Sequence, residues 1–151
     1  MGTIDRRQFI VGLGATVALT STVAGLGQQV KPAHHVALVF RSTPLANMAG
    51  PEPKERLARV FIHALRDLGY VEGKNLVLER RSLEGKPKRA PEIMAELVRL
   101  NVDVIVSSSN VITQAAIKAT STIPIVMVAN GAPVKAGFIK SLAHPGGKAD
   151  R

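Results

Sequence analysis

The chain has 151 residues, enough for one compact domain and too few for two full ones. A hydrophobic fraction of 46% with 21% charged residues excludes wholesale disorder and a multi-span membrane protein, and an aromatic fraction of 3% leaves few platforms for stacking nucleic-acid bases. The formal charge of +9 favours an anionic partner, but the lysines and arginines scatter over several elements without a recognition motif, so they read as a solvated basic surface with no nucleic-acid partner.

Residues 1–27 read as an export signal. Arg6 and Arg7 supply the positive end, and Phe9 to Leu19 form an uncharged apolar run shorter than the roughly 20 residues that span a bilayer. Gly25-Leu26-Gly27 gives a small, any, small pattern with cleavage before Gln28. The paired arginines followed by Gln8, Phe9 and Ile10 resemble a twin-arginine signal. Asp5 and Val11 depart from that pattern, which leaves open the general secretory route and also an uncleaved anchoring helix.

Residues 28–35 form a linker, and Val36 to Phe40 is a short β-branched run of the length of a buried strand. It ends in Arg41, Ser42, Thr43 and Pro44. From Pro53 the period changes, and Leu57, Val60, Phe61, Ala64, Leu65 and Leu68 recur as the apolar face of a helix that Gly69 terminates. Asn75 to Arg81 is a second strand, and Ala90, Ile93, Met94, Leu97 and Leu100 mark a second helix with Glu92, Glu96 and Arg99 outward. Val102 to Val106 is a third strand, apolar as a parallel strand covered on both faces should be. A third helix follows with Ile112, Ala115, Ala116 and Ala119, capped by Ser109 or Asn110. Pro124 to Val128 is a fourth strand, and a weaker helix is expected around Val134 to Leu142.

This alternation predicts an α/β fold with a doubly wound parallel sheet. Such sheets bind ligands outside the carboxyl ends of their strands, where the strand order reverses. The candidate ligand-binding residues are therefore Ser42, Thr43, Ser108, Ser109, Asn110, Asn130 and Gly131. Small hydroxyl and amide groups at a helix start leave backbone N–H groups free to meet a carboxylate, although capping and turn formation account for part of the pattern.

No catalytic constellation, cofactor or metal site emerges. The chain lacks cysteine, and His34, His35, His63 and His144 show no metal-ligand spacing. None of them pairs with a strand-end serine and an orienting acid, and no GxGxxG or Walker-type loop follows the first strand.

Three segments, Leu65 to Asn75, Glu96 to Val106 and Ala119 to Val126, resemble ABC-transporter substrate-binding proteins of the tryptophan/tyrosine-binding type, in the order in which that family carries them. The resemblance implies a periplasmic-binding-protein fold of two lobes that close on an amino-acid-like solute and deliver it to the membrane permease of an ABC importer. It also implies an extracytoplasmic, periplasmic location and no enzymatic activity. Residues 36–147 then correspond to the first lobe, with ligand contacts from the loops after its first, third and fourth strands. Ala132 stands where the family commonly has Asp. His144-Pro145-Gly146-Gly147 resembles the passage toward the second lobe, yet residues 148–151 follow as an aberrant or truncated tail, so the second lobe is expected to be absent. Two other readings stand beside this one: a small flavodoxin-like regulatory or enzymatic domain, and a basic surface-binding module. Produced in an exporting bacterial host, the chain is expected outside the cytoplasm beginning at Gln28, which intact-mass measurement and N-terminal sequencing of cell fractions check.

Overall fold

Four runs dominated by Val, Ile and Leu are the strands β1 (His34–Phe40), β2 (Leu76–Ser82), β3 (Val104–Ser107) and β4 (Ile125–Met127), all parallel and ordered β2-β1-β3-β4. They belong to a computed structural model that describes residues 33–128 and 131–139. The export signal, most of the linker, Asn130, His144 to Gly147 and the tail lie outside the described residues. The helices are α1 (Leu45–Met48), α2 (Arg56–Asp67), α3 (Ala90–Arg99) and α4 (Asn110–Ala119).

The period of two along β1 divides the core. Ala37 and Val39 point into a cluster with Ile93, Met94 and Leu97 of α3 and Ile112 and Ala116 of α4. Val36, Leu38 and Phe40 point the other way, against Met48, Ala58 and Ile62 from α1 and α2. Helices thus cover both faces, as a doubly wound sheet requires. The chain steps from β1 to β2 in one direction and returns past β1 to β3 and β4 in the other. Crossovers of one hand must then fall on opposite faces, which is where α2 and α3 are found.

Several elements differ from the sequence expectation. A short helix, α1, precedes α2, and Glu55 caps α2 by accepting the Ala58 N–H at 2.6 Å. The buried face of α2 is rotated: Ala58 and Ile62 are buried, whereas Val60 and Leu68 are 57% and 74% exposed. The helix chooses the seam that reaches Leu38 and Leu78, and Leu57, Phe61 and Leu65 only flank it. In α4 the buried set is Ile112, Thr113 and Ala116, and Ala119 is exposed. The helix expected from Val134 is absent among the described residues, where 133–137 form turns. Gly69 does end α2: at φ +87° its N–H meets Arg66 O and the Tyr70 N–H meets Leu65 O, a Schellman closure. Among the described residues no helix is long and apolar enough to cross a membrane.

The edge strand β2 replaces apolar contacts with ion pairs. Arg81 reaches Glu79 Oε2 at 2.8 Å and Glu96 Oε1 of α3 at 2.8 Å, while His35 Nε2 lies 3.2 Å from Glu79 Oε1. Arg80 binds Glu72 through both terminal nitrogens at 2.7 Å. The hydrogen bond from Arg80, and then its charge, hold the Glu72 carboxyl below its ordinary value of 4.5 against the opposing effect of burial. For Glu79, burial pushes the carboxyl up, but His35 and Arg81 together outweigh it and the net displacement is downward. Both groups therefore contribute stability that is complete above the unfolded-state value and lost as the pH falls below 4.5 toward their folded values. Thermal unfolding monitored by circular dichroism is expected to show a midpoint that drops on acidification through that window, with a shallower drop in Glu79→Gln.

Candidate functional site

The reversal of strand order falls between β1 and β3. The chain leaving β1 turns toward α1 and α2, the chain leaving β3 turns toward α4 on the other face, and a crevice of about 380 Å³ opens where they part. It is lined by Arg41, Ser108, Ser109, Asn110, Val111 and Gly131.

Hydrogen bonds fix the walls. The Ser108 N–H donates to Val39 O at 3.2 Å, which holds the β3 loop against the end of β1. The β2 loop is stitched to the β1 loop by Leu83 N–H to Phe40 O and Gly85 N–H to Arg41 O, both at 2.9 Å. Asn110 Nδ2 donates to Gly131 O at 2.8 Å, tying the start of α4 to the loop after β4. Beneath these residues Ser107 and Thr113 are fully buried, with their hydroxyls 2.7 Å apart and Ser107 Oγ 3.0 Å from Ser109 O. Ser109 O is only an acceptor, so the Ser107 proton goes to it and Ser107 in turn accepts from Thr113.

The start of α4 is unusual. Ser109 occupies the N-cap position with extended backbone, yet no side chain caps the helix. Ser109 Oγ and Asn110 Oδ1 are buried without a hydrogen-bond partner. The first turn of a helix carries N–H groups with no intrahelical acceptor and a partial positive charge. Ser109 and Asn110 at this helix start line the crevice, with Ser109 Oγ and Asn110 Oδ1 enclosed beneath its surface. A buried polar atom with no partner is costly, on the order of 1–3 kcal/mol, so a group that supplies the missing hydrogen bonds is favoured there.

Of the sequence candidates, Ser108, Ser109, Asn110 and Gly131 come together at this crevice, and Asn130 lies outside the described residues. Ser42 and Thr43 do not line it; they lead into α1, and the preceding residue, Arg41, takes the position they were expected to hold. Arg41 was legible as the first residue after the buried run of β1, but only the small polar residues that follow it, Ser42 and Thr43, were taken as candidates. Ala132 has φ +43°, a left-handed conformation that Asp, Asn or Gly would adopt more cheaply. A larger cavity of about 540 Å³ lies between α3 and α4, away from the strand ends, with Ala95, Val98 and Ala115 on its walls. Glu92, Arg99 and Lys118 also line it, on the two helices and not at a strand switch point.

Residues 54–149 match the family described as ABC transporter substrate binding protein. A tyrosine-binding protein of Clostridioides difficile (strain R20291) is 37% identical over 93 residues, covering 62% of this chain and 27% of that protein. The crystal structure of a conserved domain protein from Vibrio cholerae is 32% identical with a TM-score of 0.64, covering 77% of this chain and 37% of the other. The ligand-free, open structure of a substrate-binding protein with adhesive properties from Clostridium difficile is 25% identical with a TM-score of 0.65, over 77% and 37%. The chain thus spans 27% to 37% of the length of these proteins.

The buried hydroxyl pair under the crevice gives a direct test of how firmly its floor is held. Thr113→Val keeps the shape, removes a donor and leaves Ser107 Oγ short of one bond, with an expected cost of about 1–2 kcal/mol in denaturant unfolding. An unchanged midpoint would show that the pair does not hold the floor.

Proposed function

Because the chain belongs to the ABC transporter substrate binding protein family, we propose that it acts outside the cytoplasm as the solute-binding component of an ABC importer, binding an amino acid or a similar small molecule at the β1/β3 crevice and passing it to a membrane permease. The proposal includes export by residues 1–27, residues 36–147 as the first of two lobes, and a binding rather than catalytic role. The name of the tyrosine-binding relative supports the solute class.

One observation carries this reading: the start of α4, which has no side-chain cap, lines the crevice at the strand switch point together with Arg41 and Gly131. A carboxylate, such as that of a free amino acid, accepts from the N–H groups of the first helical turn. No step of bond making or breaking is required of the site.

The described residues supply one wall of the crevice, and a solute held by them alone stays hydrated on its other side, where burial and charge pairing contribute little. Binding to this chain is therefore expected to be in the millimolar range, about −4 kcal/mol. Titration of the ¹⁵N-labelled chain with a panel of L-amino acids should move the amide signals of Ser108 to Val111 and Gly131. Perturbation confined to the α3/α4 cavity, or none anywhere, would overturn the assignment of the crevice. Micromolar affinity measured by calorimetry would overturn the need for a second wall.

A further inference from the structure

We propose that the groove between α3 and α4 is the face through which two copies of this chain pair, with their α3 helices antiparallel across a two-fold axis. The surface is separate from the solute crevice, and the pairing does not rest on the functional reading above.

A chain with a formal charge of +9 can associate with itself only through a face that carries both signs, because two basic surfaces repel. The α3/α4 groove is such a face. Glu92 lies in the first turn of α3 and Arg99 in its last, and both are exposed and line the groove. Seven residues apart, they sit two turns apart on one side of the helix, about 10 Å along its axis. Lys118, exposed in the last turn of α4, stands on the opposite wall. The two helices each follow a strand of one parallel sheet and cover the same face, so they run in the same direction and Lys118 falls at the Arg99 end. The groove is therefore acidic at one end and basic at the other.

A two-fold axis turns that gradient into complementarity, since in an isologous pair each contact occurs twice with the partners exchanged. With the axis beside Ala95, Glu92 of each copy meets Arg99 of the other, at the end of the groove where Lys118 adds a second positive charge. Antiparallel helices also oppose their dipoles. The centre suits the close approach this requires: Ala95 is exposed and carries only a methyl group, and Val98 and Ala115 give an apolar floor to a space of about 540 Å³. Glu96, on the neighbouring side of α3, stays with Arg81 at 2.8 Å, so pairing leaves the tie between α3 and β2 intact. The groove and the β1/β3 crevice share no lining residue.

The test is sedimentation equilibrium of the full chain and of the charge reversals Glu92→Arg and Arg99→Glu, each alone and then mixed in equal amounts. The parent is expected at twice its 16.0 kDa at high micromolar concentration. Either reversal alone sets like charges together at both ends of the pair and should weaken it at least about tenfold, with circular dichroism matching the parent. The mixture restores opposite charges at both ends and should recover the dimer, which association through another part of the chain would not do. A second measurement keeps the native charges. Because the chain lacks cysteine, Ala95→Cys puts a lone thiol at the axis, and mild oxidation should link two copies through it. Ala64→Cys, on the exposed side of α2, should stay unlinked. A parent that remains monomeric, association that neither reversal weakens, a mixture no more associated than its folded components, or linking of Ala64→Cys as readily as Ala95→Cys overturns the proposal.

Discussion

The constraint on which the site depends is the single hand of the crossover connections. A chain that builds β1, steps to β2 and then returns past β1 to β3 must place α2 and α3 on opposite faces if every crossover has the same hand. The loops leaving β1 and β3 then diverge, and no side chain from either helix can fill the gap between them. The crevice is thus a product of topology before any residue is chosen for it. What the sequence adds is its chemistry: a run of three small polar residues after β3, a glycine after β4, and an arginine after β1. The match to known substrate-binding proteins concerns this same α/β framework, over 77% of the chain in two solved structures.

Polar burial is concentrated at that end of the molecule. Elsewhere the interior is aliphatic, with Leu38, Met48, Met94, Leu97 and Ile105 wholly enclosed. Under the crevice the chain instead encloses Ser107 and Thr113 and satisfies them with each other and with Ser109 O. A buried hydroxyl pair contributes less stability than two aliphatic side chains would, but it directs the loop. By drawing Ser109 O inward it fixes the turn into α4, so that the backbone N–H groups of the first turn open outward. The missing cap at Ser109 follows from the same arrangement, since its Oγ is buried without reaching a helix N–H.

The framework was readable from the sequence because strand and helix differ in period. Val36 to Phe40 and Val102 to Val106 lack the helical stripe, whereas Ala90, Ile93, Met94 and Leu97 keep it, and β1, β3 and α3 followed within two residues or so of the expected limits. The phase of α2 was not readable. Its sequence offers two overlapping apolar seams, one through Val60 and Ala64 and one through Ala58 and Ile62, and only contact with Leu38 and Leu78 selects the second. The loop after β4 failed for a different reason. Val134 onward has enough apolar residues to suggest a helix, but Ala132 at positive φ and Pro133 set a series of turns instead. At the site, residue type served for Ser108 to Asn110, where polarity interrupts an apolar pattern. It did not serve for Arg41, since an arginine after a strand looks like any surface charge until the fold places it beside the loop after β3.

The strength of an ionic contact at Arg41 depends on what lies across the crevice. A guanidinium and a carboxylate about 4 Å apart attract by roughly 1 kcal/mol in bulk water and several times that where the effective dielectric falls to about 20. With one wall, Arg41 is exposed and water screens the pair, so charge selection stays modest. In the two-lobed reading, a second wall that excludes water strengthens the same contact without moving either partner.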